Sequence, residues 1–275
     1  MSTNHPNPEI ERYTLATGEA AKHRLEVLHE IWGKGTRRVA LKAGMAHGMK
    51  VVDFGCGVGT VSVMFAKMVG HEGKVVGLDL SEAQLEQARI RAVEQDCPNV
   101  EFLEANAMAT KLPSGAFDFA YCRYLLIHLP DPAAALREMM RVLRPGGILF
   151  VEDGDLSTGY SVPSTALDQF SRLYPELGRH RNVDYTLGHR LHQLVAECGF
   201  TGLQVELSQR AYFTGRPKRA MEWSLEEAGS ALIDSGLCTE EELSQILEEM
   251  HAAAADEKVL CVAPRMTLVT AVKPH

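Results

Sequence analysis

Between Met49 and about Leu207, short apolar runs alternate with stretches in which apolar side chains return every three or four positions. The short runs, MKVVDF, KVVGLDL, NVEFLEA, FDFAYC, GGILFVED and GLQVEL, are rich in β-branched and aromatic residues and read as strands. Helices are expected between them: after the first strand as far as Val69, then over Glu82 to Gln95, Pro132 to Leu143 and Leu187 to Cys198. Strands that alternate with helices imply βαβ crossovers and a mostly parallel sheet. Successive apolar positions (Val75, Val76; Ile148, Leu149, Phe150, Val151) fit strands covered by helices on both faces. With a last strand in CVAPRMTLVTAV, the expected architecture is α/β, a doubly wound, seven-stranded, mostly parallel sheet.

The flanks read differently. Leu25, Leu28, Ile31 and Trp32 fall at helical spacing, and Val39 and Leu41 continue the run, so residues 1–45 are expected to hold an N-terminal helical arm. Residues 46–275 then form one domain, interrupted near 155–184 by a segment rich in Gly, Ser, Pro and Tyr. A second interruption near 214–260 carries helical patterns over Lys218 to Ile233 and Glu240 to Ala254. Long insertions in a compact domain usually act as lids.

Composition narrows the partners. With 45% apolar and 23% charged residues, the chain of 275 has the means to bury a core of single-domain size. A net charge of -8 argues against nucleic acid, because each phosphate contact calls for Lys or Arg. The one compact basic stretch, Arg216 to Arg219, reads as a solvated turn. Cys56, Cys97, Cys122, Cys198, Cys238 and Cys261 form no CxxC pair and show no metal-ligand spacing, so they read as reduced thiols in a cytoplasmic protein with no metal. No apolar run approaches the length of a membrane span.

The first strand runs through Asp53 into Gly55, Cys56, Gly57, Val58, Gly59 and Thr60. A glycine turn leading into a helix lets a ligand approach the backbone, and the helix start offers unpaired N–H groups. Dinucleotide sites share that shape, but they want a glycine where Thr60 stands. They also hold pyrophosphate, which the Asp53 carboxylate would repel, whereas the cationic amino acid part of a ligand would be favoured there. A phosphate-binding Walker loop would need Lys after the last glycine. Asp79 ends the second strand, 24 residues after Gly55, where an acidic side chain accepts ribose hydroxyls. Ser81 and Gln84 have capping-box spacing, and Gln84 is also placed to contact a ligand.

In order along the chain, VVDFGCGVGT, VVGLDLSEAQL, LEANAMATKLP, FDFAYCRYLLIHLPDP and LRPGGILFVED resemble the motifs of class I S-adenosylmethionine methyltransferases. The likeness, over about residues 40 to 210, is greatest to the ubiquinone/menaquinone-type and natural-product branch that methylates small molecules. It implies the Rossmann-like methyltransferase fold, S-adenosylmethionine as cofactor and S-adenosylhomocysteine as product. On that resemblance Gly55, Cys56 and Gly57 line the methionine and ribose, Asp79 and Leu80 the ribose, and Asn106 and Ala107 the adenine, while Arg123 and His128 lie beside the methionine end and the acceptor. The family usually has Asp where this chain has Asn106, whose amide can both accept from and donate to an adenine edge. Tyr13, with Arg24 eleven residues on, resembles an N-terminal segment that closes over the cofactor.

A sulfonium is already an activated electrophile, so alignment carries most of the catalysis. Positioning is worth roughly 7 to 11 kcal/mol, against about 3 to 5 kcal/mol for a general base. His128 is the candidate base, and Asp153, at the end of GGILFVED, the candidate substrate-facing carboxylate. Tyr160, His180, Tyr185, His189 and Arg190 flank the first insertion, and Met221 and Trp223 the second; each is placed either to pack or to touch an acceptor. The pattern leaves open a nucleic-acid or protein methyltransferase, or a protein that only retains the cofactor. It also allows a homodimer. Oxygen, nitrogen and carbon acceptors all remain open.

Overall fold

The structure is a computed structural model that describes residues 19–275, with side chains from residue 23 onward. Helix α1 (Glu19–Lys42) buries one face, with Val27, Ile31, Trp32 and Val39 all packed into the core. The chain then enters β1 (Lys50–Phe54), whose last four residues are buried, as a strand covered from both sides requires. Helix α2 (Thr60–Val69), β2 (Lys74–Asp79), α3 (Glu82–Glu94) and β3 (Val100–Glu104) follow. After β4 (Phe117–Arg123), α4 (Pro132–Val142) starts at an Asp131 cap and leads into β5 (Leu143–Asp155).

Seven strands form one sheet in the order β3-β2-β1-β4-β5-β10-β7, where β7 is Thr201–Ser208 and β10 is Arg265–Val272. Strand β1 pairs in parallel with both β2 and β4, so strand order reverses between β1 and β4. Ligands bind open α/β sheets at such a reversal, outside the carboxyl ends of the strands. Only β10 runs antiparallel, wedged between β5 and β7. The fold class expected from the pattern is the one observed.

Four differences from the pattern matter. The final expected strand is two: Pro264 separates β9 (Leu260–Val262) from β10, and β9 joins β6 (Tyr160–Val162) and β8 (Ala211–Tyr212) in a small second sheet. The first insertion holds a helix, α5 (Asp168–Arg181), which buries Phe170, Leu173, Tyr174 and Leu177 along one stripe. The helix expected over Leu187 to Cys198 is a short 3-10 turn followed by α6 (Leu191–Glu197). The second insertion holds α7 (Ala220–Glu227), α8 (Gly229–Asp234) and α9 (Glu240–Ala255), the last opened by a full Thr239/Glu242 capping box.

The Arg216 to Arg219 stretch is a turn, but it is not wholly solvated. Lys218 is 1% exposed, and its Nζ donates to the Asp256 carbonyl at 2.6 Å. Arg216 pairs with Glu30, and Arg219 pairs with Glu222 while stacking over Trp223. All six cysteines are free thiols. Among the described residues no helix is long and apolar enough to cross a membrane, and no cluster of His, Cys, Asp and Glu could hold a metal ion.

Candidate active site

The turn after β1 is built to bring backbone close to a ligand. Gly55, Gly57 and Gly59 have φ of 68°, 54° and 71°, a region other residues enter only with strain. Gly59 caps α2, and a Cβ there would stand 2.8 Å from both Ala88 and Phe102, so it serves the helix packing that dinucleotide sites give to a later glycine. The Cys56 N–H donates to the Leu78 carbonyl at 2.8 Å, tying the turn to β2.

Two carboxylates stand at the strand tips. Asp79 accepts from the Gly57 N–H at 2.9 Å and the Ser81 N–H at 3.0 Å, so it fixes the glycine turn as well as facing the cavity. Burial pushes its pKa up, and those N–H groups pull it back. Asp53 is nearly sealed, with its Oδ2 accepting from Ser62 Oγ at 2.5 Å, and burial raises its pKa to about 7.

Both tips line a cavity of about 720 Å³, within the range of roughly 300–1,000 Å³ typical of small-molecule sites. Gly55, Cys56, Gly57, Leu80 and Gln84 line it on the β1 and β2 side, as do Asn106 and Ala107 beyond β3. Ser81 Oγ accepts from the Gln84 N–H at 3.4 Å, and the Ser81 N–H is taken by Asp79, so no reciprocal capping box closes. The Gln84 side chain is instead buried with its Oε1 unpaired at the cavity wall. Thr60 Oγ1 is likewise buried and unpaired there, at the first residue of α2. Such atoms need a partner, and a bound ligand can provide one. Thr60 was not singled out from sequence; its signal was the missing third glycine. Asn106 Oδ1 accepts from the Met108 N–H at 2.8 Å, which orients the amide.

The opposite wall comes from the arm and the insertions. Leu25 of α1 lies over the turn, 3.4 Å from where a Gly57 Cβ would be. Arg24 lines the cavity, 4% exposed, with Nε 2.9 Å from Glu227 of α7. Arg123 also lines it, and its Nη1 donates to Thr36 of α1 at 3.2 Å. Tyr13 lies outside the described residues. Of the residues flanking the insertions, His180 and Met221 face the cavity, while Tyr160, Tyr185, His189, Arg190 and Trp223 do not. Phe170, Tyr174 and Arg181 line it too, all on the α5 helix that the pattern had left as a lid segment.

The two catalytic candidates part company. His128 lines the cavity, its ring edge-on to Tyr185 at 5.2 Å. Burial, then the charges of Arg24 and Arg181, lower its pKa to about 3, so the imidazole is neutral and only weakly basic. Asp153 is corrected: it is fully buried, does not line the cavity, and accepts from the Leu126 N–H at 3.0 Å. Its β-strand position turns the carboxylate under the segment after β4, where it props the backbone that carries His128. Glu152 is buried as well and accepts from Tyr121 Oη at 2.7 Å.

Residues 51–147 match the family described as Methyltransferase domain. A demethylmenaquinone methyltransferase of Lactococcus lactis is 39% identical over 119 residues, 43% of this chain and 46% of that one. The chain thus spans about half the length of the curated relatives it matches. Among solved structures, YcgJ of Bacillus subtilis superposes with a TM-score of 0.59 at 19% identity, covering 90% of this chain and 99% of that one. The Haemonchus contortus phosphoethanolamine N-methyltransferase 2, solved with phosphomonomethylethanolamine and S-adenosylhomocysteine, gives 0.57 at 17% identity over 89% of this chain and 53% of that one. At identities this low the likeness shows the fold alone.

Proposed function

We propose that this chain, whose residues 51–147 match the family described as Methyltransferase domain, transfers the methyl group of S-adenosylmethionine to a small-molecule acceptor. The observation that carries it is the Asp79 carboxylate, which braces Gly57 and faces the same cavity as the unpaired Thr60 Oγ1 and Gln84 Oε1. The residues present fit the cofactor: acid for ribose hydroxyls, a glycine turn for close approach, and an oriented amide at Asn106 for adenine. We assign Asp79 and Leu80 to the ribose, Asn106 and Ala107 to the adenine, and Gly55, Cys56, Gly57, Thr60 and Gln84 to the amino acid and ribose side. Asp53 favours the ligand's ammonium group. Arg24, with Tyr13 ahead of it, belongs to the arm that closes the site.

Bound there, the sulfonium supplies a methyl group already activated for in-line displacement. What the chain supplies is alignment and the exclusion of water, from α1, α5 and α7 standing over the turn. The insertions at 155–184 and 214–260 are read as lids because Leu156, Phe170 and Tyr174 come from the first and Met221 and Ser224 from the second. His128, held neutral, can accept a hydrogen bond from an acceptor's nucleophilic group and orient it, which needs little basicity. A small acceptor rather than nucleic acid or protein is supported by the recessed cavity and the net charge of -8. Quinone-like acceptors are supported by the named relative. A cytoplasmic setting is supported by the six free thiols, and a homodimer belongs to the same proposal.

Calorimetry with S-adenosylhomocysteine tests this reading. Saturable binding with a raised Tm is expected; no heat and no thermal protection would overturn it.

A further inference from the structure

The orphaned atoms of Thr60 and Gln84 have a counterpart elsewhere on the cavity wall: the indole N–H of Trp32, a residue that is 3% exposed, lines the same space and makes no hydrogen bond through that group. An indole has one donor and no acceptor, and when buried it ordinarily finds a partner. Packing accounts for the ring, which belongs to the apolar cluster under α1. It does not account for a wall position that leaves the one polar atom unsatisfied.

The neighbour of that N–H is Tyr124, close enough for the indole to favour its phenolate form, though not in hydrogen-bonding geometry. Burial, then the charge of Asp153, nevertheless push the Tyr124 pKa up, so the phenol keeps its proton and is a second donor at the wall. Strain is spent to aim this ring. Tyr124 has a φ of 51°, in the left-handed region, and its N–H is pinned to the Glu152 carbonyl at 3.0 Å. A Cβ at Gly154 would stand 2.9 Å from Tyr124 Cε1, so the glycine makes room for the ring. Tyr124 therefore lies on the end of β5, across β1 from the β2 and β3 edge to which the cofactor is assigned. The two donors thus belong to the acceptor half of the cavity. The charges that bear on Tyr124 are Asp153 and Glu152 against Arg123, so nothing there favours an anion.

We propose that Trp32 and Tyr124 form a two-donor subsite that holds the acceptor by a neutral carbonyl oxygen. The inference rests on the methyl-transfer reading above and names the group by which that site recognises its substrate. A carbonyl oxygen brings two lone pairs and no proton, the complement of an indole N–H beside a phenol O–H. An apolar isostere would leave the indole unsatisfied, and a carboxylate would face the two buried acids.

The chain holds two tryptophans, Trp32 and Trp223, so the indole region of a nitrogen–proton correlation NMR spectrum carries two signals, assigned through Trp32→Phe. Acetophenone, its apolar isostere isopropenylbenzene and benzoate are each titrated into the protein alone and into protein saturated with S-adenosylhomocysteine, with Kd values read from backbone amide signals. Acetophenone is expected to move the Trp32 indole signal saturably to lower field, and the isostere to move it little. The ratio of isostere Kd to ketone Kd is expected to fall about fivefold or more in Trp32→Phe and in Tyr124→Phe, equivalent to about 1 kcal/mol, and to stay within about twofold in Trp223→Phe, whose site lies outside the cavity wall. An indole signal that acetophenone leaves in place at millimolar concentration would overturn the inference. So would a ratio unchanged in both Phe variants of the subsite, or benzoate binding tighter than acetophenone. Failure of S-adenosylhomocysteine to bind removes the methyl-transfer reading instead, while the titrations of the protein alone still test the subsite, so the two failures are separate.

Discussion

Replacing Asp79 by Ala should strike two things at once, and the structure says how much each is worth. On the ligand side, the carboxylate's bonds to ribose hydroxyls are hydrogen bonds to a charged group, worth about 1.5 to 3 kcal/mol. At about 1.4 kcal/mol per tenfold, the Kd for S-adenosylhomocysteine should rise roughly 12- to 150-fold. On the protein side, the N–H groups of Gly57 and Ser81 lose their acceptor. An unsatisfied buried donor costs about 1 to 3 kcal/mol, but water can reach this half-buried position in the empty cavity, so the apo protein should lose about 1 to 2 kcal/mol in total. Isothermal titration and urea unfolding of the apo protein measure the two separately. Asp79→Asn keeps an acceptor for the Ser81 N–H and should recover part of the stability but little of the affinity. If the Kd of Asp79→Ala stays within about twofold of the parent while the fold is intact, the ribose does not sit on Asp79 and the site is misread.

Three further outcomes follow from the same geometry. Gly59→Ala forces a Cβ to 2.8 Å from Ala88 and Phe102 at a φ of 71°; overpacking plus left-handed strain should cost about 2 to 4 kcal/mol, read as a shifted urea midpoint, and an unchanged midpoint would refute it. Asp53 has its pKa raised to about 7 in the folded chain, so the folded state holds a proton that the unfolded state gives up above the ordinary carboxylate range. Apo stability should therefore fall as pH climbs from about 4 through about 7 and then level, while affinity for the ammonium-bearing S-adenosylhomocysteine should rise across pH 7. Asp53→Asn should flatten both profiles, and a binding profile that stays as steep would exclude Asp53. His128→Gln should lower kcat/KM by less than about tenfold, because a weakly basic imidazole orients rather than deprotonates; a loss beyond about a hundredfold would make it a general base after all.

Most of the proposed cofactor side of the cavity is legible in the sequence because it is local. A strand tip, three glycines in left-handed conformation and an acid closing the next strand are set within one βαβ unit, so spacing along the chain reports spacing in the fold. The acceptor half is assembled over long range and was not legible in the same way. Helix α5 carries Phe170, Leu173, Tyr174 and Leu177 at helical spacing, but Pro175 and Gly178 inside it are the residues that ordinarily punctuate helices. The small sheet uses strands of two and three residues, too short for alternation to register. Asp153 reads as substrate-facing because it ends the run GGILFVED; yet β5 continues to Asp155, strand residues alternate faces, and this one turns to a backbone N–H. The arm was expected to close the site, but its tie to α7 through Arg24 and Glu227 spans 203 residues and leaves no trace in local pattern.

Strands β7 and β10 lie side by side, with Ser208 opposite Met266, so residues 209 to 264 leave the seven-stranded sheet and return to almost the same spot. A detour of that kind can change length and sequence at little cost to the sheet, since closing a longer loop adds only slowly to its entropy. Met221 and Ser224 ride on that detour, whereas the glycine turn, Asp53 and Asp79 are all spent before residue 80. An exchange of the excursion that keeps Glu227, the partner of Arg24 on α1, would therefore alter the Met221 and Ser224 side of the cavity while the glycine turn and both strand-tip carboxylates stay as they are.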